Sequence, residues 1–332
     1  MFKGRILKAT SFGAPQDVLQ LSEHVWAPPA AGCLLVKVDA CGIGLPDMLM
    51  TMGVYPIVPE PPVTPGQEVT GEIVAVPEGS AFKVGERVMG VTQIGGGMFF
   101  GGMSDYAYIR ESQTLRVPDT LSAEEAAGFL VAFRTAYAAL VERMPVSAGD
   151  VVVVLGGAGS SGAATIIMGK ALGATVIAVA GGEDKLDFCK SIGADHAVSY
   201  KSGDFVQEIL DLTGGRGADV IFDPVGGETA TKSLKAMARF GRFGIVGFAS
   251  GGWPTFDPLD MLLRSYSAVG VYAGAYTPEE DRRAYDALAK MAEDGRIRTA
   301  VGNVYSLDEA AQAVQAMASP LPGKQIVRVS AA

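Results

Sequence analysis

The clearest hydrophobic pattern of the chain lies between residues 151 and 180. Val151–Leu155 is a continuous apolar run, which is typical of a strand buried on both faces of a parallel sheet. The apolar-rich stretch that follows ends at Gly173 and predicts a helix with a glycine at its C-terminal end. Thr175–Ala180 predicts a second buried strand. Strand, turn, helix and strand together are typical of the first βαβ unit of a doubly wound α/β fold.

The same alternation continues along the chain. Helices are predicted at about Asp184–Ile192 and Asp204–Leu212. Four more strands are predicted: His196–Tyr200, Ala218–Val225, Gly241–Phe248 and Ser267–Tyr272. Six strands at this spacing favour a Rossmann-type parallel sheet with helices between its strands.

The N-terminal third has a β-rich pattern instead, with turns that contain Pro and Gly. Its predicted strands are Leu34–Ile43, Gly71–Val76, Glu86–Val91 and Asp105–Arg110. Thr120–Met144 is predicted to be mostly helical, and Ser122 with Glu125 forms a capping box at its start.

The C-terminal tail returns to the first pattern. Helices are predicted near Pro278–Asp294 and Leu307–Met317, and the strand Gln325–Val329 is expected to rejoin the N-terminal strands. The predicted domains are therefore a discontinuous β-rich domain, residues 1–127 with 276–332, and a nucleotide-binding domain, residues 128–275.

Gly157, Gly159 and Gly162 follow the first buried strand with the spacing G-x-G-x-x-G. Glycine suits these positions because it makes a tight turn, lets the backbone approach a pyrophosphate and lets helix and strand pack closely. The residues between them are predicted to contact the same cofactor: Ala158, Ser160 and Ser161. The alternative is an ordinary strand-to-helix turn, since 43 of the 332 residues are glycine.

The end of the second strand bears on which nucleotide is bound. An acidic residue that holds the ribose hydroxyls of NAD is expected there, but the position is Gly181. Lys185 and Tyr200 offer a positive charge and a hydroxyl to a 2′-phosphate, so NADPH is predicted. Glu183 and Asp184 place negative charge nearby, and are interpreted as solvated residues at a helix start.

Composition excludes several classes of partner. The net charge is −9 and Lys and Arg are not clustered, which argues against nucleic acid and anionic membranes. No apolar run reaches the length of a membrane span, and no signal peptide is recognised at the N-terminus. The three cysteines form no C-x-x-C pair, so a reducing cytoplasm is expected.

Several motifs together resemble the zinc-free quinone oxidoreductase branch, which includes zeta-crystallin, of the medium-chain dehydrogenase/reductase superfamily. They are Cys41–Pro56, Pro65–Ile73, the glycine turn, Gly193–Tyr200, Asp223–Gly227 and Gly323–Val327. The resemblance implies a GroES-like catalytic domain plus a Rossmann domain, with hydride transfer in the cleft between them. It also implies a homodimer formed through the sheet edge near Ser267–Tyr272.

Zinc-binding members of the superfamily have a Cys-x-His-type ligand pair in the first of these motifs and Gly-His-Glu in the second. Here the corresponding positions are Gly44, Leu45 and Gln67, and Val131 stands where the third ligand is expected. The two histidines, His24 and His196, are interpreted as structural. Because an open zinc site needs about three convergent ligands, no metal is expected.

The resemblance also suggests catalytic residues. Tyr55 matches a proposed proton donor of enoyl reductases, and its alternative role is that of a turn aromatic packed on the loop. Asp47 and Gln67, with Glu68, are predicted either to form a polar remnant of the lost metal site or to be a structural hydrogen-bonded cluster. Quinone reductases usually have Asn at the position of Gly44, so the substrate assignment is less strict.

Further cofactor contacts are implied at Gly44, Thr135, Val225, Gly247, Phe248, Ala249 and Lys324. The predicted reaction is NADPH-dependent hydride transfer to a small quinone or an α,β-unsaturated carbonyl compound. An enoyl or alkenal reductase, on an acyl-CoA or an enal, is the alternative enzyme, although no basic patch for CoA phosphates is evident. A low-turnover, crystallin-like NADPH-binding protein is the alternative outside enzymes.

Overall fold

A computed structural model describes residues 1–55, 60–92, 94–95, 98–99, 101–201, 203–319 and 321–330, with the main chain alone at 94–95 and 98–99. The described strands are β1 (Phe2–Ala9), β2 (Leu19–Trp26), β3 (Cys33–Gly42), β4 (Glu68–Ala75), β5 (Arg87–Thr92), β6 (Ile94–Gly95), β7 (Met98–Phe99), β8 (Tyr106–Arg116), β9 (Val151–Leu155), β10 (Thr175–Ala180), β11 (His196–Ser199), β12 (Ala218–Asp223), β13 (Met237–Ile245), β14 (Ser267–Gly270), β15 (Val301–Ser306) and β16 (Lys324–Arg328).

The described α-helices are α1 (Pro15–Val18), α2 (Leu45–Thr51), α3 (Ala123–Ala127), α4 (Leu130–Tyr137), α5 (Ser160–Ala171), α6 (Glu183–Ser191), α7 (Phe205–Leu212), α8 (Gly227–Ser233), α9 (Pro258–Arg264), α10 (Pro278–Glu293) and α11 (Ala310–Gln315). A π-helical segment, Ala138–Arg143, continues α4. None of the described helices has the length and apolar character needed to cross a bilayer.

The chain divides into two compact units. The first unit comprises Met1–Val131 with Tyr276–Ala332, and the second comprises Ala132–Ala275. The domain boundaries at residues 127 and 275 stay a prediction.

The second unit is built on a six-stranded parallel sheet with the order β11-β10-β9-β12-β13-β14. Counted from β9, this is the order 3-2-1-4-5-6 of a doubly wound dinucleotide fold, in which ligands bind beyond the carboxyl ends of the strands. Every residue of β9 is buried, because both faces of the strand are covered. The predicted Rossmann sheet is therefore confirmed.

The first unit holds a second six-stranded sheet, with the order β15-β16-β3-β4-β5-β8. An additional pairing of β3 with β8 closes β3, β4, β5 and β8 into a ring. The C-terminal β16 pairs antiparallel with β3, Ile326 opposite Gly42, so the predicted return of the last strand to the N-terminal sheet is confirmed.

Local predictions can be compared with individual contacts. The capping box is confirmed, because Ser122 N–H donates to Glu125 Oε2 at 2.9 Å and Glu125 N–H donates to Ser122 Oγ at 3.2 Å. β12 ends at Asp223, before the predicted end at Val225, since the Asp223 side chain takes up the amides that follow. The predicted long helix is interrupted at Gly128.

Candidate active site

The turn between β9 and α5 is packed too tightly for side chains. A Cβ on Gly162 would lie 2.2 Å from the carbonyl oxygen of Gly156, which itself has φ +62°. Gly159 is the N-cap of the twelve-residue α5, and no side chain caps that helix. The N–H groups of its first turn, at Ser160 and beyond, therefore face outward and favour an anion such as a pyrophosphate.

The carboxyl end of β10 is shaped by Tyr200. A Cβ on Gly181 would lie 2.7 Å from the Tyr200 hydroxyl oxygen, so glycine gives the ring its place there. The Tyr200 side chain remains 45% exposed. Lys185 is half-buried in the first turn of α6, and it forms no ion pair with any other residue that the structure describes. Gly181, Lys185 and Tyr200 thus leave a hydroxyl and an ammonium group available at this edge.

Asp223, at the end of β12, is a functional candidate that the sequence analysis did not name. Its Oδ1 accepts hydrogen bonds from the N–H groups of Val225 and Gly226, both at 2.8 Å. Its Oδ2 is buried and has no hydrogen-bond partner among the described residues. Burial raises the pKa of the Asp223 carboxyl from 3.8 to about 6, although the two amides act in the opposite direction.

The loops that follow β12 and β13 are joined by main-chain hydrogen bonds. Ala249 N–H donates to Pro224 O at 3.1 Å, and Ser250 N–H donates to Val225 O at 2.8 Å. Gly247 and Phe248 are half-buried and Ala249 is exposed. The predicted contacts Val225 and Gly247–Ala249 are therefore brought together, while Thr135 lies half-buried in α4.

In the first unit, Asp47 fastens two loops. It is fully buried in α2, its Oδ2 accepts from Gly44 N–H at 2.8 Å, and its Oδ1 accepts from Gly66 N–H at 2.7 Å. Burial raises the pKa of the Asp47 carboxyl from 3.8 to about 6, against the effect of these two amides. The segments that carry Gly44 and Gly66 are held together by one side chain.

Glu68 and Lys324 form a buried ion pair. Their Oε1 and Nζ atoms are 2.7 Å apart, and the side chains are 2% and 5% exposed. Glu68 Oε2 also accepts a hydrogen bond from Val131 N–H at 2.9 Å. The carboxylate therefore links β4, β16 and the start of α4, and the ammonium group that the sequence predicts as a cofactor contact lies against Glu68.

The remaining predicted residues of the first unit have other surroundings. Tyr55 is half-buried and packs against Met50 and Val63, and the last residue of its motif, Pro56, lies outside the described residues. Gln67 is half-buried, and its main-chain carbonyl accepts from Thr92 N–H at 2.9 Å. In the part of the chain that the structure describes, no three His, Cys, Asp or Glu side chains are arranged to hold a metal ion.

The sequence carries a local signal for Asp223 but none for the ion pair of Glu68 and Lys324. An aspartate at a strand end followed by Pro, Val and two glycines is typical of a turn whose side chain accepts backbone amides, so Asp223 has a local signal. The contact between Glu68 and Lys324 has none, because the two residues are far apart along the chain.

Comparisons with known proteins bear on both units. Residues 30–119 match the family model described as alcohol dehydrogenase GroES-like domain, and residues 162–293 match the one described as zinc-binding dehydrogenase. The expected combination of a GroES-like domain and a Rossmann-like parallel sheet is thereby confirmed.

Whole-chain similarity is also found. The quinone oxidoreductase of Rattus norvegicus is 31% identical over 311 residues, which are 93% of this chain and 92% of that protein. A solved mycobacterial structure in complex with NADPH has a TM-score of 0.85 and 28% identity, covering 98% of this chain and 99% of that one. A solved NAD-dependent alcohol dehydrogenase has a TM-score of 0.87 and 29% identity, covering 98% and 100%.

The nucleotide turn, the strand order and these similarities agree. The chain belongs to the quinone oxidoreductase family of the medium-chain dehydrogenase/reductase superfamily, whose members are NAD(P)-dependent oxidoreductases of small molecules.

Proposed function

We propose that the protein is a zinc-independent, NADPH-dependent reductase of quinones or α,β-unsaturated carbonyl compounds. The proposal rests on the residues at the positions that match the zinc ligands of related dehydrogenases. These positions carry Gly44, Leu45, Gln67 and Val131, none of which offers a typical zinc ligand. Two buried carboxylates, Asp47 and Glu68, instead accept the main-chain amides of Gly44, Gly66 and Val131.

The residues of the second unit fit a dinucleotide. The glycine turn and the uncapped start of α5 suit a pyrophosphate. Lys185 and the Tyr200 hydroxyl suit a 2′-phosphate, because Gly181 presents no carboxylate that would repel it. When bound, NADPH supplies a hydride. Further contacts are proposed at Gly44, Thr135, Val225, Gly247, Phe248, Ala249 and Lys324.

The acceptor needs little help from a metal. Quinones and enones are already activated, because their conjugated oxygen takes up charge as the hydride arrives, and the protein has to orient them and exclude water. We assign Tyr55 as proton donor to the enolate-like intermediate that an enone forms, since a phenol O–H can act as a general acid. Asp47 acts as a positioning residue, because it holds the segments that carry Gly44 and Gly66. Gln67 follows Gly66 in the second of these segments.

The most direct test of the proposal is oxidation of NADPH by 1,4-naphthoquinone and by an acyclic enone, before and after treatment with a chelator. Activity that survives chelation, in protein that contains no stoichiometric zinc by elemental analysis, is expected. One zinc per chain that is lost together with activity would refute zinc independence. Activity on an acyl-CoA alone would favour the enoyl reductase. Tight NADPH binding without turnover would favour the crystallin-like protein.

The choice of cofactor is tested with Lys185→Ala. Loss of a charge-assisted hydrogen bond, worth about 1.5–3 kcal/mol, should weaken NADPH binding about tenfold or more. NADH affinity should barely change, because NADH lacks the 2′-phosphate. Titration of the wild type and the variant with both cofactors measures the two affinities. A wild type that prefers NADH would refute the assignment and would make Glu183 or Asp184 the candidate ribose ligand.

The role of Tyr55 is tested with Tyr55→Phe. General acids typically contribute about 10²- to 10⁴-fold, so turnover of an enone should fall by that order while NADPH affinity stays unchanged. Quinone reduction should be less sensitive, since a reduced quinone can take its proton from water. An unchanged turnover of the enone would refute the proton-donor role and favour a packing role for Tyr55 against Met50 and Val63.

We also propose a homodimer. β14 is the last strand of its sheet, and three of its four residues are exposed. Leu259, Leu262 and Leu263 of the preceding α9 are 61–72% exposed, which is a large apolar surface for a single helix. Sedimentation velocity should give the mass of a dimer, and Leu263→Glu should shift it towards the monomer.

A further inference from the structure

The loop after β13 presents an exposed indole. The chain has two tryptophans, and Trp26 is 1% exposed whereas Trp253 is 58% exposed. The Trp253 ring lies against the half-buried Phe248, with ring centroids 4.7 Å apart and planes inclined by 40°. The two rings therefore form one aromatic surface, and much of its Trp253 side is in contact with solvent.

This surface is held in place by the backbone. Ala249 and Ser250 donate hydrogen bonds to the carbonyl groups of Pro224 and Val225. On the far side of the loop, a Cβ on Gly226 would lie 2.1 Å from the carbonyl oxygen of Gly252, so the two loops are in close backbone contact. Residues 248–253 are thereby fixed over the carboxyl ends of β12 and β13.

The position and the charge of the loop indicate what the surface binds. Ligands of doubly wound sheets lie beyond the carboxyl ends of the strands, where Phe248 already stands among the proposed cofactor contacts. Residues 245–256 include no charged side chain. An uncharged aromatic surface suits a flat, neutral ring, since offset stacking adds to the burial of apolar area.

We propose that Phe248 and Trp253 stack the planar ring of an aromatic quinone and so make the enzyme prefer aromatic acceptors over acyclic ones. The proposal rests on the proposed reductase function and names a specificity-determining residue for it. Trp253 contributes ring contact to the acceptor, and a small enone, which has no such ring, gains little from it.

The kinetic test compares Trp253→Leu with wild type, using NADPH with 1,4-naphthoquinone and with methyl vinyl ketone. For naphthoquinone, kcat/KM should fall about tenfold, which corresponds to about 1.4 kcal/mol. For methyl vinyl ketone the change should be less than about twofold, and Trp253→Phe should keep most of the preference because it keeps a ring. Equal losses for both acceptors, or no loss, would overturn the proposal.

The matched control is Phe240→Leu. Phe240 is 67% exposed and lies in β13, at the register shift between the pairs Met237–Ala218 and Arg242–Val220, which is towards the amino end of that parallel pairing. This variant should leave both acceptors unchanged. NADPH affinity is measured for every variant, and a weakened affinity in Trp253→Leu would mean that the ring stacks the cofactor, which would also overturn the proposal.

A binding measurement separates this proposal from the proposed function. Tryptophan fluorescence is titrated with 1,4-naphthoquinone in the absence of NADPH, and the signal of Trp253→Leu is subtracted from that of wild type. A saturable difference supports the aromatic surface even in a protein that reduces no quinone, in which case the proposed function fails alone. A purely collisional, non-saturating difference overturns the surface even when quinones are reduced.

Discussion

The glycine turn of the second unit and the carboxylate cluster of the first unit are held together in opposite ways. Around Gly162 the backbone approaches itself so closely that no Cβ fits, and no side chain caps the helix that follows. Around Asp47 and Glu68, buried side chains span the gaps between loops and accept main-chain amides. The turn is therefore vulnerable to added atoms, whereas the cluster is vulnerable to a lost charge.

The largest effect is expected for Lys324→Met in the cluster. The variant leaves the Glu68 carboxylate buried without its counter-ion, and removal of one partner of a buried ion pair typically costs about 3–5 kcal/mol. Urea denaturation measures the free energy of unfolding. The control is Lys290→Ala, which removes the exposed pair of Lys290 with Asp294, whose side chains are 68% and 41% exposed, and should change the free energy of unfolding far less than Lys324→Met does.

The double variant Glu68→Gln/Lys324→Met sharpens the same comparison. It removes both charges and keeps an acceptor for Val131 N–H, so it should recover much of the stability that Lys324→Met loses. If Lys324→Met lost as little stability as Lys290→Ala, the buried pair would behave like a surface pair.

The next largest effect is a pH dependence at Asp223, which belongs to the second unit but resembles the cluster. Its folded pKa of about 6 lies above the ordinary value of 3.8, so the native state binds the proton more tightly than the unfolded state. Its contribution to stability is therefore present below about pH 4, is lost as the pH rises through about 6, and amounts to about 3 kcal/mol.

Asp223→Asn removes this titration while its amide oxygen still accepts from Val225 and Gly226. Between pH 4 and pH 7 the stability of the variant should rise relative to wild type by about 2 kcal/mol, which is most of the full effect, measured by urea denaturation at both values. Asp47 titrates in the same range in both proteins, so its contribution cancels in the difference. A difference that does not vary with pH would contradict the raised pKa.

The smallest effect on stability is expected in the glycine turn. It tests whether the turn requires glycine because an added Cβ would overlap the backbone. Gly162→Ala places a Cβ against the Gly156 carbonyl at 2.2 Å and should cost about 1–3 kcal/mol by overpacking, with loss of NADPH affinity. Gly159→Ala is the matched control for stability, since its Cβ would lie 3.4 Å from the same oxygen. Equal losses of stability in the two ligand-free variants would refute the steric explanation.

The nucleotide unit was largely predictable because its information is local. The bounds of β9 and β10 agree with the predicted strands, since both are uninterrupted apolar runs buried in the middle of a sheet. The capping box at Ser122 belongs to the first unit, and it was predictable for the same reason, because it is a pattern of neighbouring residues. The alternation of strands and helices predicted six strands of a doubly wound sheet, whereas their order in the sheet comes from the structure.

The polar cluster was only partly predictable, because it depends on contacts between distant segments. Asp47, Gln67 and Glu68 were named together from a resemblance, but which groups they bind depends on how β4 and β16 flank β3. The hairpin of β1 and β2 was missed as well, since charged residues interrupt its alternation and the short α1 lies between the strands.

The place of β16 in the sheet has a consequence for synthesis on the ribosome. The second unit is continuous in sequence and can fold as soon as it has emerged, whereas β3 waits for a partner strand near the end of the chain. Translation proceeds at about 5–20 residues per second, so the first unit stays incomplete for many seconds with one strand edge open. Lys324 arrives with that last strand, so until β16 is made the Glu68 carboxylate lacks the ammonium group that pairs with it in the folded unit.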